Sequence, residues 1–235
     1  MPAHSSGPRS VVFDFDYTLA DSSLGAHRCV AYAFRQLGLP ARAPEEINRT
    51  IGHSLTETFR LLAPDADPNL CPEFRDLFLH HAEDVMVDST KVYNEVPQAL
   101  RALREAGLTL AIVSTKRRVI IEAILEREGL RCEFAAIVGG EDVTRHKPDP
   151  SGLIMALRAM GSDAPQTVYV GDSTVDAETA ERAGTRFVAT LTGTTTKEMF
   201  SAFAVEAFIE HIGELPCVLF DLPSRAAVTA ERTER

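Results

Sequence analysis

A break in an otherwise regular rhythm constrains this chain more than any other feature. Short apolar runs rich in β-formers stand at 10–15, 108–114, 134–138, 167–171 and 186–191, and helical patterns separate them. Such alternation builds an α/β fold, a doubly wound parallel (Rossmann-like) sheet with helices on both faces. The helices carry readable punctuation. One runs from Pro97 to Gly107, another from Pro150 to Gly161, and a third opens near Asp176 and closes at Gly184. Proline in the first turn and glycine past the last is the expected asymmetry. The rhythm fails between 22 and 88, where there is no β-rich run but three helix-period stretches, 26–37, 55–62 and 73–87. A plain crossover between parallel strands needs only about a dozen residues. The economical reading is an inserted all-α cap domain over 22–88. It leaves and rejoins at two hinges a discontinuous core formed by 1–21 and 89–222, and 223–235 reads as a frayed polar tail.

Composition narrows the function. At 235 residues, 45% hydrophobic and 25% charged, the chain is long enough to bury a sizeable core. A net charge of −10 argues against a nucleic-acid partner, which would need a basic face. No run of eighteen apolar residues is present, so no membrane span is expected, and residues 1–10 lack the apolar stretch of a secretory signal. Cys29, Cys71, Cys132 and Cys217 form no CxxC pair and sit among apolar neighbours. They read as four buried thiols in a reducing, cytoplasmic setting.

The chemistry gathers at strand ends. The first run passes straight into Asp14-Phe15-Asp16-Tyr17-Thr18-Leu19. Side chains alternate along a strand, so Asp14 and Asp16 project from one side at its carboxyl end, where open α/β sheets bind ligands. The fourth run repeats the design in Gly171-Asp172-Ser173-Thr174-Val175-Asp176. Helix capping explains one of these acids well. It does not explain four. Four carboxylates at two strand ends repel one another unless a cation joins them, and magnesium prefers oxygen ligands of this kind. Two further strand ends supply the complement. Ser114-Thr115-Lys116 offers hydroxyls for a phosphate oxygen, and Lys147 stands ahead of a proline-started helix in a chain with four lysines against twenty arginines.

These four segments, in this order and each after a predicted strand, resemble the motifs of the haloacid dehalogenase superfamily, in its phosphoglycolate-phosphatase-like branch with a helical cap (the C1 type). The resemblance spans 11–180. It implies a Mg²⁺-dependent phosphatase in which Asp14 is the nucleophile that forms an aspartyl-phosphate and Asp16 the general acid and base. Mg²⁺ would be held by the Asp14 and Asp172 carboxylates and the Asp16 carbonyl, with Asp176 in support. Ser114 and Lys147 would bind the transferring phosphoryl group, and Thr18 and Thr115 belong to the same phosphate-binding motifs. Asp16 favours phosphate chemistry over dehalogenation, and the absence of a lysine between Asp21 and Lys91 disfavours the phosphonate-cleaving relatives. Inorganic pyrophosphate hydrolysis, sugar phosphomutation and non-catalytic binding of a phospho-ligand remain alternatives. Receiver domains rank lower, since they lack an insertion after the first strand.

Two positions qualify the match. Tyr17 stands where these phosphatases usually carry glycine. A bulky side chain there calls for an ordinary backbone conformation and would crowd the site or the hinge. In the insert, Asn48-Arg49-Thr50-Ile51-Gly52-His53-Ser54 is a glycine-bearing polar turn, and Arg49 or His53 is a candidate for touching the distal end of the substrate. Against that stand a surface arginine and a helix cap at Ser54. His80-His81 reads as a solvated helix face, and His146 as a support for the Lys147 loop. Residues 21–88 carry six arginines against eleven acids, a lid suited to a small phosphorylated metabolite rather than a long polyanion. The chain is expected to act as a monomer or homodimer.

Overall fold

The computed structural model describes residues 7–221; the expected tail at 223–235 lies outside them. In chain order the elements are β1 (Ser10–Phe13), β2 (Ala20–Asp21), α1 (Ser23–Gln36), α2 (Pro44–Asn48), α3 (Leu55–Leu62), α4 (Cys71–Ser89), β3 (Lys91–Val92) and α5 (Val96–Glu105). There follow β4 (Thr109–Val113), α6 (Arg118–Arg127), β5 (Ala136–Val138), α7 (Ser151–Met160), β6 (Thr167–Gly171), α8 (Thr174–Ala183), β7 (Arg186–Thr190), β8 (Ala207–Ile209) and α9 (Leu215–Asp221). Six strands form one parallel sheet in the order β5-β4-β1-β6-β7-β8.

Strand alternation sorts the core into two layers. Val11, Phe13, Ile112 and Val170 face α5, α6 and α9, while Val12, Val113, Tyr169 and Phe187 face α7 and α8. Covering both faces is what makes these strands read as continuous apolar runs. Because β1 sits between β4 and β6, its carboxyl end and theirs meet at one edge. The helix stops behave as the glycine pattern implies: α7 and α8 end on Gly161 and Gly184, both left-handed, at φ 62° and 74°.

Helices α1–α4 fill the break in the rhythm and bury their own apolar cluster, including Phe34, Phe59, Leu62 and Phe74. Chain entry and exit are joined by an antiparallel pair, Ala20 opposite Val92 and Asp21 opposite Lys91. That ribbon, β8 and α2 escape sequence reading because two- to five-residue elements carry too few residues for a period to register.

Several expectations need correction. Only Cys29 is buried; Cys71 is half-buried, and Cys132, in a tight turn, and Cys217, on α9, are exposed, because apolar neighbours in sequence do not make an inward-facing position. His80 is exposed, but His81 is half-buried, with its ring stacked on Tyr32 at 4.3 Å between centroids. Tyr17 does not take an ordinary backbone conformation. Its φ is +59°, the left-handed region, although the side chain is bulky and only 8% exposed.

Candidate active site

The carboxyl ends of β1, β4 and β6 and the loop after β5 bring Asp14, Asp16, Ser114, Lys147, Asp172 and Asp176 to one edge of the sheet. Asp14 is 1% exposed. Its Oδ1 lies 2.9 Å from the Lys147 Nζ, and neither of its oxygens accepts a hydrogen bond of good geometry among the described residues. Burial first, then the neighbouring Asp176 and Asp16 charges, push its carboxyl up to about 7 against the pull of Lys147. Burial and the same kind of repulsion, from Asp176 and Asp14, raise Asp172 well above the usual carboxylate range.

Lys147 is the counterweight. Burial disfavours its charge, yet Asp14 and Asp176 hold the ammonium charged well above the ordinary lysine range. It donates to Asp176 Oδ1 at 2.6 Å and to the Tyr169 hydroxyl at 3.2 Å, and it pairs with the Asp14 carboxylate as an ionic contact at 2.9 Å. Tyr169, which the sequence pattern gives no role, in turn donates to Asp176 Oδ1 at 2.9 Å. Only its inward alternation on β6 could have pointed to this role.

Asp176 combines two duties. As the third residue of α8 it forms a reciprocal cap with Ser173, accepting from the Ser173 N–H at 3.2 Å and Oγ at 2.5 Å while its own N–H donates to Ser173 Oγ at 3.3 Å. With Lys147 and Tyr169 on the other oxygen, Asp176 is saturated by the protein. Asp14, Asp172 and Asp176 each place an oxygen within 4.8 Å of the others'. Three buried carboxylates so close match a hard divalent cation such as Mg²⁺, and the absence of hydrogen bonds to the Asp14 oxygens leaves that carboxylate available as a ligand. Gly171 and Gly193 hug this cluster: a side chain at either would collide with Asp176 or Asp172.

Asp16 points elsewhere. Its Oδ1 accepts from Ser22 Oγ and forms an ion pair with Lys116 Nζ at 3.1 Å, both side chains nearly buried. Lys116 and Ser22 were missed by sequence reading; the signal available was the position of Lys116 two residues past Ser114. Ser114 is buried, and its Oγ accepts from the Lys116 N–H at 3.3 Å. Thr18 is buried, with no hydrogen bond to its hydroxyl among the described residues. Thr115 Oγ1 instead donates across to the insert, to the Gly52 carbonyl at 3.1 Å. The left-handed turn at Tyr17 is held from both sides: its N–H donates to the Ala20 carbonyl at 2.7 Å and its own carbonyl accepts from Thr192 Oγ1.

Of the two insert candidates, His53 lines a cavity together with Asp16, Thr115 and Lys116. Arg49 is exposed and is not part of that lining. Ser54 caps α3 by accepting from the Glu57 N–H at 3.3 Å. The His146 ring is half-buried against the Lys147 loop.

Comparison with known proteins closes the question of kinship, for the family described as haloacid dehalogenase-like hydrolase matches residues 11–190. The chain belongs to that family. It is 36% identical over 181 residues to a phosphoglycolate phosphatase of Cereibacter sphaeroides, covering 75% of this chain and 82% of the relative. It is 31% identical over 185 residues to one of Aquifex aeolicus, covering 79% and 85%. Pyrophosphatase PpaX of Listeria monocytogenes matches at 29% over 214 residues, covering 90% and 96%. Among solved structures, one described as a haloacid dehalogenase-like hydrolase from Bacteroides fragilis superposes with a TM-score of 0.85 at 36% identity, covering 88% of this chain and 99% of that one. This family member is an enzyme, a hydrolase of the phosphatase kind.

Proposed function

We propose that the enzyme hydrolyses a small phosphomonoester, of about the size of phosphoglycolate, through an aspartyl-phosphate formed on Asp14. The observation that carries this reading is Asp14 itself: a carboxylate at the end of the central strand, buried, 2.9 Å from Lys147 and clustered with Asp172 and Asp176. An Asp14 oxygen attacks phosphorus and the bond to the leaving oxygen breaks, while Asp16 gives that oxygen a proton. Water then attacks the aspartyl-phosphate, its proton passes to Asp16, and Asp14 and inorganic phosphate are released. Ser114 and Lys147 hold the phosphoryl oxygens, and exchange of one Lys147 partner makes room for them. Asp176 and Tyr169 keep the ammonium in place. Asp14 and Asp172, with the Asp16 carbonyl, would hold Mg²⁺, and Asp176 supports that set from behind. When bound, the cation screens the approach of one anion to another. Four free cysteines suit a reducing cytoplasm.

The likeness to the Listeria pyrophosphatase supports inorganic pyrophosphate as a second candidate substrate. The test is phosphate release from 2-phosphoglycolate, pyrophosphate, nucleotides, sugar phosphates and simple alkyl phosphates, with Mg²⁺ and with EDTA. Release that needs the metal and falls at least about 10³-fold in Asp14→Asn is expected. No release by the folded protein would point to a phosphomutase or a non-catalytic binder, and activity surviving in Asp14→Asn would refute the assignment of the nucleophile.

A further inference from the structure

Between the insert and the sheet edge lies a cavity of about 100 Å³, the room of several water molecules. It opens beside Asp16 and runs between α1, α3, α4 and the start of α6, where the apolar cluster of the insert meets that of the sheet. Val30, Ile47, Phe78, Met86 and Ile120 form much of its wall.

The polar groups of the wall are already engaged. Thr50 Oγ1 donates to the Ile47 carbonyl at 2.8 Å and Thr58 Oγ1 to the Thr50 carbonyl at 3.4 Å. Thr115 is bonded to Gly52, and Ser22 to Asp16. The two full cations are matched as well: Lys116 with Asp16 at 3.1 Å, and Arg117 with Glu83 at 2.5 Å. Only the His53 imidazole makes no hydrogen bond among the described residues, and burial lowers its proton affinity, which keeps it neutral near pH 7. A second carboxylate or phosphate placed here would have to break an existing ion pair or remain without a counter-charge, and an unpaired charge in an apolar wall is costly.

We infer that the leaving group of the substrate is an uncharged alcohol with a small apolar body, carrying at most one hydrogen-bonding group, which His53 meets. The inference rests on the proposed phosphatase reading, because it uses Asp16 as the group that faces the leaving oxygen and also borders this cavity. It excludes as best substrates the compounds whose leaving group is itself an anion, 2-phosphoglycolate and pyrophosphate, although relatives are named for them.

The test compares kcat/KM, with Mg²⁺, for isobutyl phosphate, methyl phosphate, 2-phosphoglycolate and pyrophosphate. Each methylene buried in an apolar cavity is worth roughly three- to fourfold in binding. Isobutyl phosphate is therefore expected to exceed methyl phosphate by about tenfold or more, and to exceed both anionic compounds. Ala26→Leu, which fills the cavity from α1, is expected to bring the isobutyl-to-methyl ratio down to about one. An unchanged ratio in the folded variant overturns the inference; should the variant not fold, the wild-type ranking decides alone. Release led by 2-phosphoglycolate or pyrophosphate overturns the inference and leaves the phosphatase reading standing. No release from any compound overturns both.

Discussion

The two sides of the site are built on opposite principles. On the sheet side, Asp14, Lys147, Asp176 and Tyr169 form a nearly fully buried network in which the lysine hydrogen-bonds Asp176 and Tyr169 and pairs with Asp14. On the insert side, much of the cavity wall is apolar, and its hydroxyls are bonded within the protein while the His53 ring is left for a ligand. The sheet side holds charge in a fixed geometry, which is what phosphoryl transfer needs from a protein. On the proposed reading, the insert side, with shape and little charge of its own, would select among leaving groups without disturbing the chemistry. Tight electrostatics and permissive packing are separated by a few ångströms, and Asp16 stands at the border, tied to Lys116 and facing the cavity.

That contrast breaks most visibly at Lys147. Replacing it by alanine leaves Asp14 and Asp176 buried without their cation, and removal of one partner from a buried pair costs about 3 kcal/mol or more. Urea unfolding of Lys147→Ala without metal should show that loss, and kcat should fall by on the order of 10³. A variant with wild-type stability would mean that the network contributes nothing to the fold.

The cation provides the next largest effect, with a definite sign. Asp14 ionises at about 7 in the fold against 3.8 when exposed. Its neutral form is favoured by folding, so the stability it contributes is full below about 3.8 and is lost as pH rises from there to about 7. Mg²⁺, held as proposed, would bind the ionised form and reverse this loss. Thermal melts should therefore show little Mg²⁺ effect at pH 5 and a rise on the order of 5–10 °C at pH 8, with the ion at a hundred times its dissociation constant. An equal rise at both pH values would place the ion elsewhere.

Smaller still is the strain at Tyr17. Tyr17→Gly and Tyr17→Ala both lose the ring, so their difference isolates the backbone. At φ +59° glycine should be the more stable by about 1 kcal/mol, read by chemical denaturation. Alanine equal to or above glycine would show that the turn relaxes. At the bottom of the scale, Arg49→Ala should leave kcat/KM within about twofold on the preferred substrate, because Arg49 lies outside the cavity lining. A tenfold loss would show that the loop closes over the substrate.

Much of the sheet side is legible in the residues alone. The strand at 167–171 sits where its pattern places it, and β1, β4, β5 and β7 begin or end within a few residues of expectation. The strand-end acids, Ser114 and Lys147 come together because parallel strands put successive carboxyl ends on one edge. The insert side was less readable. Arg49 and His53 lie four residues apart in one turn, yet only His53 lines the cavity. Thr115 spends its hydroxyl on Gly52 across the interface, a bond between residues 63 positions apart in the chain.

Local pattern therefore determined the parallel α/β core, the run of helices between β2 and β3 and the acids, hydroxyls and lysine placed at the strand ends, since periodicity, turn residues and strand polarity act over a few residues and need no knowledge of the rest. Tertiary structure alone decided the pairing of Lys116 with Asp16, the seat of Tyr169 beneath Lys147, the left-handed turn at Tyr17 and the apolar character of the cavity. Each of these depends on which distant surfaces meet, and on burial that turns an ordinary side chain into a costly or a useful one.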